Sequence, residues 1–127
     1  MLKWLLIALG GAFGSILRYV LQGWVQNHAA AVFPWGTLAV NLTACLAIGL
    51  LAGMFAGPQL IREEYRIALT VGVLGGYSTF STFGLETFQL LNEKEFALAA
   101  LNLFLSCALG LLCVWAGYRA AQHWFGV

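Results

Sequence analysis

Charge is scarce in this chain. Only 9% of its 127 residues are Asp, Glu, Lys or Arg, against 61% apolar. A water-soluble domain of this size carries about a quarter charged residues. Too little charge remains to coat a surface facing water, so the chain belongs in a bilayer. A formal net charge of +1 and the lack of a basic stripe leave no footprint for nucleic acid. Paired cysteines are missing too. Cys45, Cys107 and Cys113 all fall in apolar runs. An odd count without paired spacing argues against a disulfide framework and against zinc, and free Cys in such runs behaves as a small hydrophobe. No nucleophile stands beside a base, and G-x-S-x-G does not occur, so nothing points to an enzyme. His28 and His123 fall in or near loops without metal-ligand spacing.

Four apolar blocks are present, at about 4–25, 36–57, 67–91 and 96–118. Each holds the ~20 residues that span ~30 Å of hydrocarbon as a helix. Met1-Leu2-Lys3-Trp4 resembles the start of a signal peptide. The apolar run behind it is long, however, and no Ala-x-Ala site closes it early, so it reads as a retained first helix. The predicted connections are short and polar: Gln26-Asn27-His28 through Phe33-Pro34-Trp35, Gly57-Pro58-Gln59 through Arg66, and Asn92-Glu93-Lys94-Glu95. None separates domains, so residues 1–127 read as one all-α, four-helix transmembrane domain. Trp4, Trp24, Trp35, Trp115, Tyr118 and Trp124 near the block ends fit interfacial anchoring. An even number of crossings puts Lys3, Arg62, Arg66 and Arg119 on one side, opposite Lys94 and, if it snorkels that way, Arg18. So thin a bias permits insertion in either direction. Two copies could then pair antiparallel; a bundle of one fixed orientation is the plainer alternative.

Polar residues inside the blocks fall into narrow stripes. Gly11, Ser15, Arg18 and Gln22 share one face of the first helix, with a Gly10–Gly14 step suited to close helix contact. Arg18 either snorkels to the interface or sets a positive charge at a pore mouth. In the second helix Thr37 and Asn41 are four apart, while Gly49, Gly53 and Gly57 form a separate small face suited to packing. Asn41 either bonds a neighbouring helix or offers its amide N–H to an anion. Asn102, four residues from Ser106, poses the same question and leans further towards structure. Glu86 is the one carboxylate deep in an apolar block, on a face with Thr79 and Thr82.

The third block is the most informative. Gly75-Gly76-Tyr77-Ser78-Thr79-Phe80-Ser81-Thr82-Phe83-Gly84 stands where a plain spanning helix would carry Leu and Ile. Hydrocarbon penalises unpartnered backbone, so a helix broken here must face protein, water or an ion. Interrupted helices commonly build membrane ion sites. On spacing alone, Phe80 and Phe83 remain either packing residues or ring edges turned to an ion.

Three motif blocks carry a resemblance: Gly10-Gly11-Ala12-Phe13-Gly14-Ser15-Ile16-Leu17-Arg18-Tyr19, Gly36-Thr37-Leu38-Ala39-Val40-Asn41 and Gly75 through Phe83. In order and spacing, over essentially the whole chain, they resemble the Fluc (CrcB) family of fluoride channels. The resemblance implies an antiparallel homodimer with two fluoride pores in a prokaryotic plasma (inner) membrane, and passive export. It implies that Phe80 and Phe83 box the ions and that Asn41 points its amide into the path, with Ser81, Thr82 and Ser106 as a polar track. Thr37 and Glu86 match vestibule positions, beside the Arg18 already noted. The carbonyls of Gly75 and Ser78 match the ligands of one structural sodium ion (Na+) at the dimer centre. The chain departs from the family pattern at Ala44, Tyr77 and Ser78, and at Gly110 one turn beyond Ser106, where some relatives continue the hydroxyl track. The runner-up expectation is a small dual-topology proton-coupled multidrug exporter, which needs a central acid; the first helix has no carboxylate, so Glu86 would have to serve. A non-transporting membrane assembly subunit is a third.

Overall fold

The computed structural model describes residues 1–57 and 61–126. Beyond Gly57, the predicted Gly57-Pro58-Gln59 turn lies outside the described residues. Every regular element described is helical. Helix α1 covers Leu2–Ala29 and ends on Ala30 in the left-handed conformation, φ 46°. Helix α2 covers Trp35–Phe55. Helix α3, Glu63–Ile67, continues as a π-helical stretch, Ala68–Val73, and then as α4, Leu74–Tyr77. The chain leaves the helix at Ser78, which is extended, and resumes as α5, Ser81–Asn92. Helix α6, Phe96–Phe104, runs through a second π stretch, Leu105–Leu109, into α7, Gly110–Phe125. Among the described residues, three helices are long and apolar enough to cross a membrane: Leu2–Ala29, Trp35–Phe55 and the continuous Phe96–Phe125.

Gln26-Asn27-His28 is helical, not the loop its polarity predicts. Hydropathy marks where lipid ends, whereas backbone hydrogen bonding ends one turn later, where the Ala30 N–H reaches the Gln26 carbonyl at 3.0 Å. The Gln26 side chain then shapes the connection. Its Nε2 donates to the carbonyls of Ala31 (2.9 Å) and Phe33 (3.1 Å), and its Oε1 accepts from the Gly36 N–H (3.0 Å). One amide thus ties the end of α1 to the start of α2. The last helix likewise runs past its apolar block, to Phe125.

Glycines set the packing, because lipid supplies no hydrophobic drive and close backbone approach must replace it. A Cβ on Gly14 would strike the Val73 carbonyl oxygen and lie 2.9 Å from the Tyr77 nitrogen; one on Gly76 would lie 2.6 Å from the Gly11 carbonyl oxygen. The Gly10–Gly14 step therefore seats α1 against the π stretch and α4. The most extensive contact joins α2 to α7. There Gly49 abuts the Val114 carbonyl and Gly117 the Leu46 carbonyl, so the small face of α2 does pack against a helix. Val40, Ala44 and Tyr77 form a buried cluster beneath the break, with Leu21 and Leu74 against it. Gly14→Ala should force α1 outward and destabilise the protein by about 1–3 kcal/mol, the usual size of overpacking. A lower midpoint in thermal unfolding in detergent would register it.

Candidate functional site

The break at Ser78–Phe80 is held open by specific bonds. Asn41 Nδ2 donates to the Thr79 carbonyl at 2.9 Å, and the Thr79 N–H donates to Asn41 Oδ1 at 2.9 Å. The side-chain amide thus copies a backbone partner in both directions. The Thr79 N–H is the group that would have extended the helix onto the Gly75 carbonyl; Asn41 diverts it. Ser78 turns back instead, its N–H and Oγ each donating to the Leu74 carbonyl at 3.0 Å. Arg18 Nε donates to the Gly76 carbonyl at 3.2 Å, placing a cation at the negative end of a helix. Tyr77, 6% exposed, shares a 2.7 Å hydrogen bond with the Thr43 hydroxyl. Across the gap the Thr82 N–H donates to Thr79 Oγ1 at 3.2 Å and caps the start of α5. The positive end of the α5 dipole therefore opens onto the break, as suits an anion.

A cavity of about 260 Å³ lies at the break, lined by Asn41, Cys45, Ser78, Thr79, Phe80, Phe83, Ser106 and Cys107. Asn41 and Cys45 come from α2, and Ser106 and Cys107 from the second π stretch. Such π-helical bulges recur at functional sites. The rings of Phe80 and Phe83 lie 5.7 Å apart at 48°. Phe83 is 8% exposed and Phe80 is 82% exposed. Asn41 spends one amide hydrogen on Thr79; its second has no acceptor among the described residues and is the one available to the cavity.

Three of the remaining candidates line two other cavities. Arg18 and Thr82 share one of about 640 Å³ with Gln22 and Asn27. Glu86 lines one of about 220 Å³ with Gln26, Gln89 and Glu93. Thr37 Oγ1 neighbours Glu86 without meeting hydrogen-bond geometry, and Thr37 Oγ1 and Glu86 Oε1 are buried and unpartnered among the described residues. Ser81 is exposed at the first turn of α5 and lines none of the three cavities. Gly75 and Ser78 are exposed, and Ser78 also lines the cavity at the break. Free thiols at Cys45, Cys107 and Cys113 accord with the absence of a disulfide framework among the described residues.

Sequence reasoning missed the Thr79 backbone as Asn41's partner, Gly76 as Arg18's, and Thr87. Thr87 Oγ1 donates to the Phe83 carbonyl at 2.8 Å and accepts from Asn102 Nδ2 at 2.9 Å. Only its four-residue spacing from Phe83 could have flagged it.

The family described as CrcB-like protein, Camphor Resistance (CrcB), matches residues 5–118. A protein of Geobacter metallireducens named fluoride-specific ion channel FluC is 46% identical, over 97% of this chain and 99% of its own. Proteins with the same name from Geobacter sulfurreducens and Thermus thermophilus are each 48% identical, covering 94% and 92% of this chain and 96% and 91% of theirs. Matched over nearly its whole length, with the break and its bracing amide in place, the chain belongs to the CrcB-like family.

Proposed function

We propose that this protein is a fluoride-selective channel, a multi-pass protein of a prokaryotic plasma membrane through which cytoplasmic fluoride leaves passively. The observation that carries the reading is the cavity at the break, where an amide, hydroxyls and two phenyl rings converge without a full positive charge. Fluoride is small and holds water tightly, so a pore must replace that shell with close donors. Asn amides and Ser or Thr hydroxyls do so. A phenyl ring adds an electropositive edge, which attracts an anion without trapping it, and conduction needs sites an ion can leave. Asn41, Phe80, Phe83, Ser81, Thr82 and Ser106 form the path on this reading, with Arg18, Thr37 and Glu86 in its vestibules.

The same reading has four crossings, the third broken at Ser78–Phe80, and an antiparallel homodimer in the lipid bilayer. An exposed line at Val71, Gly75 and Ser78 supports a second copy docking there. Sodium fits the donor set. Gly75 has lost the Thr79 N–H as its helical partner, Gly75 and Ser78 offer hard backbone oxygens, and the negative end of a helix faces them. Its chemistry would be structural, a fixed positive charge that also raises the potential for anions.

The test is fluoride efflux from liposomes under a potassium gradient set with valinomycin. A channel follows the imposed voltage and is indifferent to a collapsed pH gradient. Efflux that stops when a protonophore is added would instead mark a proton-coupled exporter.

A further inference from the structure

Two buried side chains outside the proposed path, Thr87 and Asn102, fix the direction of one proton inside it. The Phe83 carbonyl has no hydrogen, so Thr87 must donate to it, at 2.8 Å. A hydroxyl has one proton, so Thr87 Oγ1 can only accept from Asn102, at 2.9 Å. Asn102 must therefore present its NH₂ to Thr87, and its Oδ1 faces the other way, to Ser106. The Ser106 hydroxyl donates to that Oδ1, at 3.4 Å. Asn102 is 1% exposed and Thr87 6% exposed, so water does not enter the relay to reverse it. The order of donors is thus forced from the helix backbone outward to the cavity wall.

We infer that Asn102 is a specificity-determining positioning residue: its Oδ1 competes with the passing anion for the Ser106 proton. With that proton on Asn102, Ser106 shows the cavity only lone pairs, which repel an anion. To bind, the anion must draw the hydroxyl round about its Cβ–Oγ bond. At 3.4 Å the resting bond is much longer than the usual ~2.7–2.8 Å between oxygens, so the rotation is easy for a strong acceptor. Fluoride is the strongest acceptor among the halides, and chloride is larger and weaker. The relay therefore sets a threshold that fluoride passes and chloride does not. Ser106 sits in the π stretch, lines the cavity and reaches Asn102.

This inference rests on the cavity being the fluoride path, and the test separates the two. Liposome efflux is measured with fluoride and chloride electrodes, over a range of fluoride concentrations, for the unsubstituted protein and for Thr87→Val, Thr87→Ser and Asn102→Ala. Thr87→Val leaves the Asn102 amide free to turn its NH₂ to Ser106, and Asn102→Ala removes the competitor outright. Both should lower the half-saturating fluoride concentration and the ratio of fluoride to chloride efflux by about threefold to tenfold, the worth of one hydrogen bond. Thr87→Ser keeps the relay and should match the unsubstituted protein. A merely structural role would not tighten fluoride while admitting chloride. Unchanged half-saturation and discrimination in Thr87→Val and Asn102→Ala would overturn the inference. So would a raised half-saturating fluoride concentration in both, since freeing a donor cannot weaken fluoride binding. An unsubstituted protein that passes no fluoride overturns the channel reading itself.

Discussion

Asn41→Asp should cut fluoride efflux by about a hundredfold or more, equivalent to about 2.7 kcal/mol. The substitution keeps the shape of the side chain and the Oδ1 that accepts the Thr79 N–H at 2.9 Å. It replaces the Nδ2 that donates to the Thr79 carbonyl at 2.9 Å with an oxygen, so two acceptors face each other. A buried carbonyl robbed of its donor costs about 1–3 kcal/mol by itself. The new charge also stands on the wall of the cavity and repels the anion at short range, where the dielectric is low. Both effects act on the same step, so the loss should exceed that of any single hydroxyl in the track. A fluoride electrode reads it directly, and size-exclusion elution like that of the unsubstituted protein shows that the fold survives. Full transport by Asn41→Asp would mean that the amide neither shapes the break nor meets the ion.

Phe80→Ile should lower fluoride efflux by about tenfold to a hundredfold and leave chloride excluded. Phe80 is 82% exposed in the single chain, so the exchange removes little internal packing beyond its contact with the Phe83 ring. What it removes is the electropositive ring edge at each position where the ion meets it; tenfold to a hundredfold corresponds to about 1.4–2.7 kcal/mol. Isoleucine has similar bulk and no quadrupole, which isolates that property. Phe83→Ile should act in the same direction. Phe83 is 8% exposed, however, and the swap adds a packing cost of up to about 1.5 kcal/mol. The comparison matters for that reason: flux lost in Phe83→Ile alone would point to packing, and flux lost in both points to the rings.

Helix content was legible because hydropathy reports burial in lipid directly. The ends were not, since Gln26, Asn27 and His28 are polar yet remain in α1. The break was legible for a chemical reason: paired glycines and a run of hydroxyls in the middle of an apolar block weaken a spanning helix and leave backbone groups that lipid cannot satisfy. Its mechanism was hidden. Asn41 and Thr79 are 38 positions apart, and Arg18 and Gly76 are 58 apart; spacing says nothing about partners on different helices. The Asn102–Ser106 contact was open to inspection because both lie on one helix, four residues apart. Thr87 completes that relay from another helix and escaped notice. The π stretches also left no mark in the sequence, because apolar residues such as Ala68–Val73 suit α and π geometry equally.

Separating Ser81 and Thr82 from the cavity that holds Ser106 has a consequence. In the single chain Thr82 opens on the Arg18 cavity and Ser106 on the Phe83 cavity. An antiparallel second copy docked on the exposed Val71–Gly75–Ser78 line is the arrangement proposed above. Labelling of one accessible loop cysteine, in a background lacking Cys45, Cys107 and Cys113, tests that arrangement. Reaction from both sides of sealed membranes is expected, and reaction from one side only would exclude antiparallel pairs.

The most direct measurement records both halides from one preparation. Liposomes containing the purified protein are loaded with fluoride and chloride together, and a fluoride electrode and a chloride electrode follow their release after valinomycin is added. Rapid loss of fluoride with chloride retained is the result expected of a broken helix that strips water from one small anion. Retention of both ions, or their release together, would contradict it.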